Sequence, residues 1–102
     1  MEMELIDERD TLVVRRLRLQ PGEAMFWHTD ACERLTVVVH GSRLRIEFRD
    51  GERVEANVHP GLTGWDQPEA RVHRAVNAGE DVYEEVVTFF RDSPAVEPQP
   101  QT

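Results

Sequence analysis

In Arg43-Leu44-Arg45-Ile46-Glu47-Phe48-Arg49, apolar and charged residues alternate without a break. A period of two puts Leu44, Ile46 and Phe48 on one side of an extended chain and the charges on the other. Such a segment fits a strand with one buried face and one wet face. Asp50-Gly51 follows, a pair suited to a two-residue hairpin turn in which glycine supplies the positive φ. Val54, Ala56 and Val58 then resume the alternation over residues 52–58. The expectation is an antiparallel hairpin whose solvent face carries cross-strand Arg/Glu pairs, each worth roughly 0.2–0.5 kcal/mol.

The rest of the chain follows the same grammar. No stretch of 11 or more residues sustains helical periodicity. Further strands are expected at 5–6, 11–19, 25–28, 35–39, around Trp65, at 71–78 and at 82–90. They are separated by Gln20-Pro21-Gly22-Glu23, His59-Pro60-Gly61, Gln67-Pro68-Glu69 and Gly79-Glu80-Asp81. About eight short strands with regular turn signals specify an all-β sandwich or barrel. At 102 residues the chain is one domain with one modest core. The barrel is expected over 1–91, and the three prolines of 92–102 predict a disordered tail.

Charge narrows the partners. Twelve basic residues, all arginine, against twenty acidic ones leave a net charge of −8. That disfavours nucleic acid, whose affinity comes largely from phosphate neutralisation, and anionic membrane surfaces alike. No apolar run approaches a membrane span, and the acidic start has no signal-peptide pattern. The single cysteine, Cys32, excludes an internal disulfide and a cysteine-rich zinc site. A reducing bacterial cytoplasm is the expected compartment.

Two histidine segments remain. His28 follows Gly22 after five residues, with Asp30, Glu33, Arg34 and Gly41 beyond it; His73 follows Pro68-Glu69-Ala70, with Asn77 four residues on. In this order and spacing the segments resemble the two motifs of the cupins, small double-sheet jelly rolls. The resemblance covers about residues 12–90 and implies an all-β cupin double-stranded β-helix, a jelly-roll barrel. More loosely, the Trp-His segment and the Arg-Leu-Arg-Ile-Glu hairpin resemble small bacterial cupins associated with β-alanine degradation.

The family's pattern implies a metal held by histidines and a glutamate inside the barrel. Here Asp30 stands for the second histidine, Ala70 for a glycine, and Arg34 at the counted position of the glutamate, with Glu33 one residue early. Adjacent side chains of a regular strand face opposite ways, so Glu33 reaches the barrel interior only through a bulge or a loop. The expected metal set is therefore His28 and His73 with Asp30 or Glu33, suited to Fe(II), Mn(II), Ni(II) or Zn(II). Oxygenase, isomerase and hydrolase chemistry all remain open for such a centre. His-x-Asp with a distal histidine is also similar to 2-oxoglutarate oxygenases, but Tyr83 stands where those carry a co-substrate arginine.

The alternative is a metal-free cupin in which Arg34 holds a small carboxylate through two parallel hydrogen bonds, without catalysis. A third reading is a partner-binding protein with a vestigial pocket. Trp27, Trp65, Asn77 and Tyr83 are candidate pocket residues, with Asn77 also suited to tying down a turn. A homodimer formed through sheet edges is expected, with Met1 to Asp7 as an added strand.

Overall fold

The computed structural model describes residues 1–91; the expected tail at 92–102 lies outside the described residues. Nine strands and no helix make up those residues. Five of them, β1 (Glu2–Glu8), β2 (Leu12–Leu19), β9 (Tyr83–Phe90), β4 (Glu33–His40) and β7 (Thr63–Asp66), form one sheet in the order β1-β2-β9-β4-β7. The other four, β3 (His28–Asp30), β8 (Glu69–Asn77), β5 (Arg43–Phe48) and β6 (Arg53–Asn57), form a second sheet ordered β3-β8-β5-β6. All pairings are antiparallel, and most neighbours in a sheet are distant in sequence, as in a jelly roll.

The alternating segment lies where its pattern requires. Leu44, Ile46 and Phe48 face the space between the sheets, and β5 pairs with β6 from Arg43↔Asn57 to Glu47↔Arg53. The turn differs from the two-residue form. Phe48 N–H donates to Glu52 O and Gly51 N–H donates to Phe48 O, so the loop is Arg49-Asp50-Gly51, with Gly51 at φ 104°. A third residue is accommodated because glycine in the left-handed region closes the loop back into register.

The outer face of this hairpin is not simply solvated. Glu47 is buried, accepting from Arg45 Nε at 2.8 Å and from Arg74 Nε at 3.0 Å. These two hydrogen bonds hold its carboxyl below the usual value, against the opposing effect of burial. Arg74 and Arg49 also lie over the Trp27 ring at 4.3 and 4.9 Å. Trp27 thus caps the outside of the second sheet.

Leu19, Val38, Leu44 and Tyr83 form the fully packed end of the interior, with Met25, Val58 and Leu62 against it. Gly41 sits at φ 138°, and a Cβ there would lie 2.8 Å from Tyr83 Cδ1, so glycine lets the β4–β5 connection close over the tyrosine. The strand expected at 25–28 is displaced: β3 begins only at His28, and residues before it join β8 irregularly, through Gly22 N–H to Asn77 O and Met25 N–H to Ala75 O. The segment expected at 5–6 extends to the whole of β1, which pairs with the chain's own β2 from Glu2↔Arg18 to Glu8↔Val13, with a register shift after Leu5.

Candidate functional site

Antiparallel register brings the two histidine segments together. β3 pairs with β8 so that His28 lies opposite His73; Asp30, two residues along β3, shares the face of His28, while a register shift sets it opposite Glu69. The imidazole centroids are 4.6 Å apart. His73 Nε2 lies 2.8 Å from Asp30 Oδ2, and His28 Nε2 lies 3.7 Å from Asp30 Oδ1. One donor atom from each of the three residues falls within 4.8 Å of the others. Asp30 and His73 are buried and His28 is partly so, at one end of a cavity of about 920 Å³ between the sheets.

The second nitrogen of each ring fixes its tautomer. His28 Nδ1 is 2.8 Å from Phe26 O and His73 Nδ1 is 2.8 Å from Arg71 O. A carbonyl oxygen only accepts, so each Nδ1 carries a proton. In a neutral ring Nε2 then presents a lone pair, and that of His73 faces a carboxylate oxygen at 2.8 Å. A contact of that length is a hydrogen bond when a proton lies on either partner, and it holds the carboxylate and the ring nitrogen on one side of the cavity. Backbone carbonyls on Nδ1 are also the usual outer support of metal-bound imidazoles. Donor atoms around one transition ion lie roughly 3–3.5 Å apart for bonds of about 2.1 Å. The three residues could hold such an ion after small side-chain adjustments, since their donor atoms lie within 4.8 Å of one another.

Arg34 enters the same cavity from β4. Its Nη2 is 3.4 Å from Asp30 Oδ2 and 3.9 Å from Asp66 Oδ2, and its Nη1 donates to Gln67 O at 3.2 Å. β4 is regular from Glu33 to Val38 in its pairing with β9, so no bulge turns Glu33 inward. Glu33 instead accepts on the outer face from Trp65 Nε1 at 3.1 Å and Gln67 Nε2 at 2.9 Å. The third member of the group that could hold a metal is therefore Asp30 and not Glu33, because strand alternation gives the interior to Arg34.

The remaining candidates separate in the same way. Trp65 is 56% exposed, stacks on Phe90 at 5.2 Å and lies outside the cavity, as does Trp27. Asn77 also stands apart from the cavity; its amide donates to Leu19 O and Asp81 O, and its oxygen accepts from Gly79 N–H. It ties a turn. Tyr83 does face the cavity, and its hydroxyl donates to Glu85 Oε1 at 2.5 Å.

Glu85 is the residue that sequence reasoning passed over. It shares the inner face of β9 with Tyr83, Val87 and Phe89, inside a segment read as a well-buried apolar strand. The signal was the period of two itself: residues 83, 85, 87 and 89 share a face, and only Glu85 among them carries an acid. Burial pushes its carboxyl above the usual 4.5; the Tyr83 hydrogen bond and Arg34 oppose this, while Asp30 and Asp66 add to it. Burial, then the Glu85 carboxyl, push the Tyr83 phenol up as well.

With Glu85 raised in the folded chain, the folded form holds a proton that the unfolded form releases above 4.5. Its contribution to stability therefore falls as pH rises through that window. Glu85→Gln removes the titration. Thermal unfolding is expected to show the variant gaining on the wild type as pH rises above 4.5; a difference constant with pH would contradict it.

No family model and no curated protein sequence matches this chain. Solved structures do. A cupin domain from Bordetella pertussis Tohama I superposes with a TM-score of 0.77 at 19% identity, over 87% of this chain and 91% of that one. An RmlC-like cupin with a double-stranded β-helix fold from Methanocaldococcus jannaschii gives 0.69 at 16% identity, covering 88% and 79%. The fold is a cupin double-stranded β-helix. A third cupin, RmlC-like and from Desulfovibrio desulfuricans, gives 0.66 at 18% identity over 88% and 81%. At such identities the likeness fixes the cupin architecture, and chemistry has to be argued from this cupin barrel's own residues.

Proposed function

We propose that this cupin barrel binds a small anionic molecule beside a divalent transition-metal ion held by His28, Asp30 and His73. The observation that carries this reading is the convergence of one donor atom each from His28, Asp30 and His73 within 4.8 Å, with both Nδ1 protons committed to backbone carbonyls. Such a set is a competent site for Fe(II), Mn(II), Ni(II) or Zn(II). Bound there, the ion would supply Lewis acidity or, as Fe(II), redox chemistry toward oxygen. The chain's own residues do the rest. Phe26 and Arg71 carbonyls orient the imidazoles, and Arg34 balances Asp30 and offers its guanidinium to a carboxylate.

Thermal unfolding with supplied metal tests this. A ligand that binds only the folded chain stabilises it by about 2.7 kcal/mol at a hundredfold excess over its Kd. The wild type is expected to gain stability with at least one of the four ions and to lose it with chelator, and His28→Ala to do neither. Wild-type protein indifferent to all four ions would refute the metal reading.

A specific contact favours a second reading. Arg34 Nη2 lies 3.4 Å from Asp30 Oδ2, a permanent cation beside the place a metal would take. In a metal-free cupin, Arg34 alone anchors a small carboxylate. Stabilisation by organic acids would then survive chelator and vanish in Arg34→Ala.

We also propose a homodimer through β1. Every residue of this edge strand is exposed, including Met3, Leu5 and Ile6, and no further strand pairs with its outer edge in the described residues. A long exposed edge with apolar side chains is a template for a second copy. Light scattering is expected to give a dimer mass for the wild type and a monomer for Leu5→Asp combined with Ile6→Asp. A monomeric wild type would refute it.

A further inference from the structure

Unused hydrogen-bonding capacity inside the barrel lies across from the histidines. His28, Asp30 and His73 belong to β3 and β8 in one sheet; Tyr83 and Glu85 belong to β9 in the other. Glu85 Oε1 is taken by the Tyr83 hydroxyl, and among the described residues no donor reaches Oε2. The walls beside it are apolar, with Leu17, Val38 and Val87 among the lining residues. Oε2 is open to the cavity, where it can take a polar group of a ligand.

Register gives the span. Glu85 lies opposite Val38, four residues along β4 from Arg34, which is roughly 13 Å of strand at about 3.3 Å per residue. Both side chains face the cavity and shorten that gap.

We propose that Glu85, oriented by Tyr83, is a second recognition point, taking an uncharged hydroxyl or carboxamide of a ligand whose carboxylate meets Arg34. The proposal rests on the anion site described above. Its chemistry suits a group that both donates and accepts, because burial favours the neutral carboxylic acid, which does the same. Ligands of this class are short, linear acids with a polar far end.

The test uses the full chain and two matched series: unsubstituted carboxylic acids of three to six carbons, and the ω-hydroxy acids of the same lengths. Calorimetry is expected to find at least one length at which the hydroxy acid binds about tenfold tighter, the effect of one buried hydrogen bond. Glu85→Leu is expected to erase that preference, and Glu85→Gln to retain it. Plain acids that bind with no preference at any length would overturn the Glu85 assignment and leave Arg34 standing. So would a preference that survives Glu85→Leu. Failure of both series to bind the wild type would remove the Arg34 site and Glu85's role with it. The wild-type comparison alone can overturn the proposal, whether or not the leucine variant folds.

Discussion

Asp30→Asn is expected to weaken metal binding by more than about a hundredfold, because even loss of an outer-shell partner costs 10–100-fold. The substitution preserves shape and removes charge, so it isolates the electrostatic role of the carboxylate. Asp30 is the only acidic member of the three-residue set, and it is shared: His73 Nε2 at 2.8 Å, His28 Nε2 at 3.7 Å and Arg34 Nη2 at 3.4 Å all converge on it. With an amide there, the two imidazoles face an arginine whose other carboxylate partner, Asp66 Oδ2, stands off at 3.9 Å, and a divalent cation entering the site loses its one anionic ligand. Competition against a chromophoric chelator measures the loss, with circular dichroism confirming that the sheets persist. An affinity within about threefold of the wild type would show that Asp30 is an ion-pair partner and not a ligand.

The largest stability effect is expected at Asn77. Its side chain is 1% exposed and makes three hydrogen bonds, to Leu19 O at 3.0 Å, to Asp81 O at 2.8 Å and from Gly79 N–H at 3.0 Å. These join the end of β2, the end of β8 and the turn that leads into β9. Asn77→Ala leaves the buried Leu19 carbonyl and the part-buried Asp81 carbonyl and Gly79 N–H without their partner, and opens a void. At about 1 kcal/mol for each lost bond the cost is about 3 kcal/mol, which lowers Tm by roughly 12–24 °C in a domain of this size. Gly79 is bound into the same corner, where a Cβ would lie 2.3 Å from Ser42 Oγ and 3.5 Å from Asn77 Oδ1. A Tm change for Asn77→Ala below about 4 °C would mean that water or a shifted turn replaces the amide.

The fold was legible because its rule is local. Alternation in Arg43–Phe48 and the Gly51 turn specify a hairpin whatever the rest of the chain does, and the spacing of His28 and His73 in two cupin-like motifs supplies the architecture. The choice between Glu33 and Arg34 was reduced by the same rule to one question, whether β4 carries a bulge there; its unbroken register answers it. Trp27 and Trp65 were beyond such reasoning. Each lies beside site residues in sequence, yet outward positions and partners on other strands (Arg49 and Arg74 for one, Phe90 for the other) take them out of the cavity. Glu85 was hidden for the opposite reason. Its neighbour Glu84 pairs outside with Arg18, and two consecutive acids in an apolar strand read as an edge of charge until the face is counted from Tyr83. Burial of Glu47 likewise depends on Arg74 from another strand, which period two within one hairpin does not see.

Elemental analysis of the purified, untagged chain, with His73→Ala beside it, tests the metal centre most directly. The account predicts close to one equivalent of a divalent transition metal per wild-type chain and none in the variant. Wild-type protein that is metal-free, and that gains no thermal stability from added Fe(II), Mn(II), Ni(II) or Zn(II), would contradict it and leave Arg34 as the centre of a metal-free binding site.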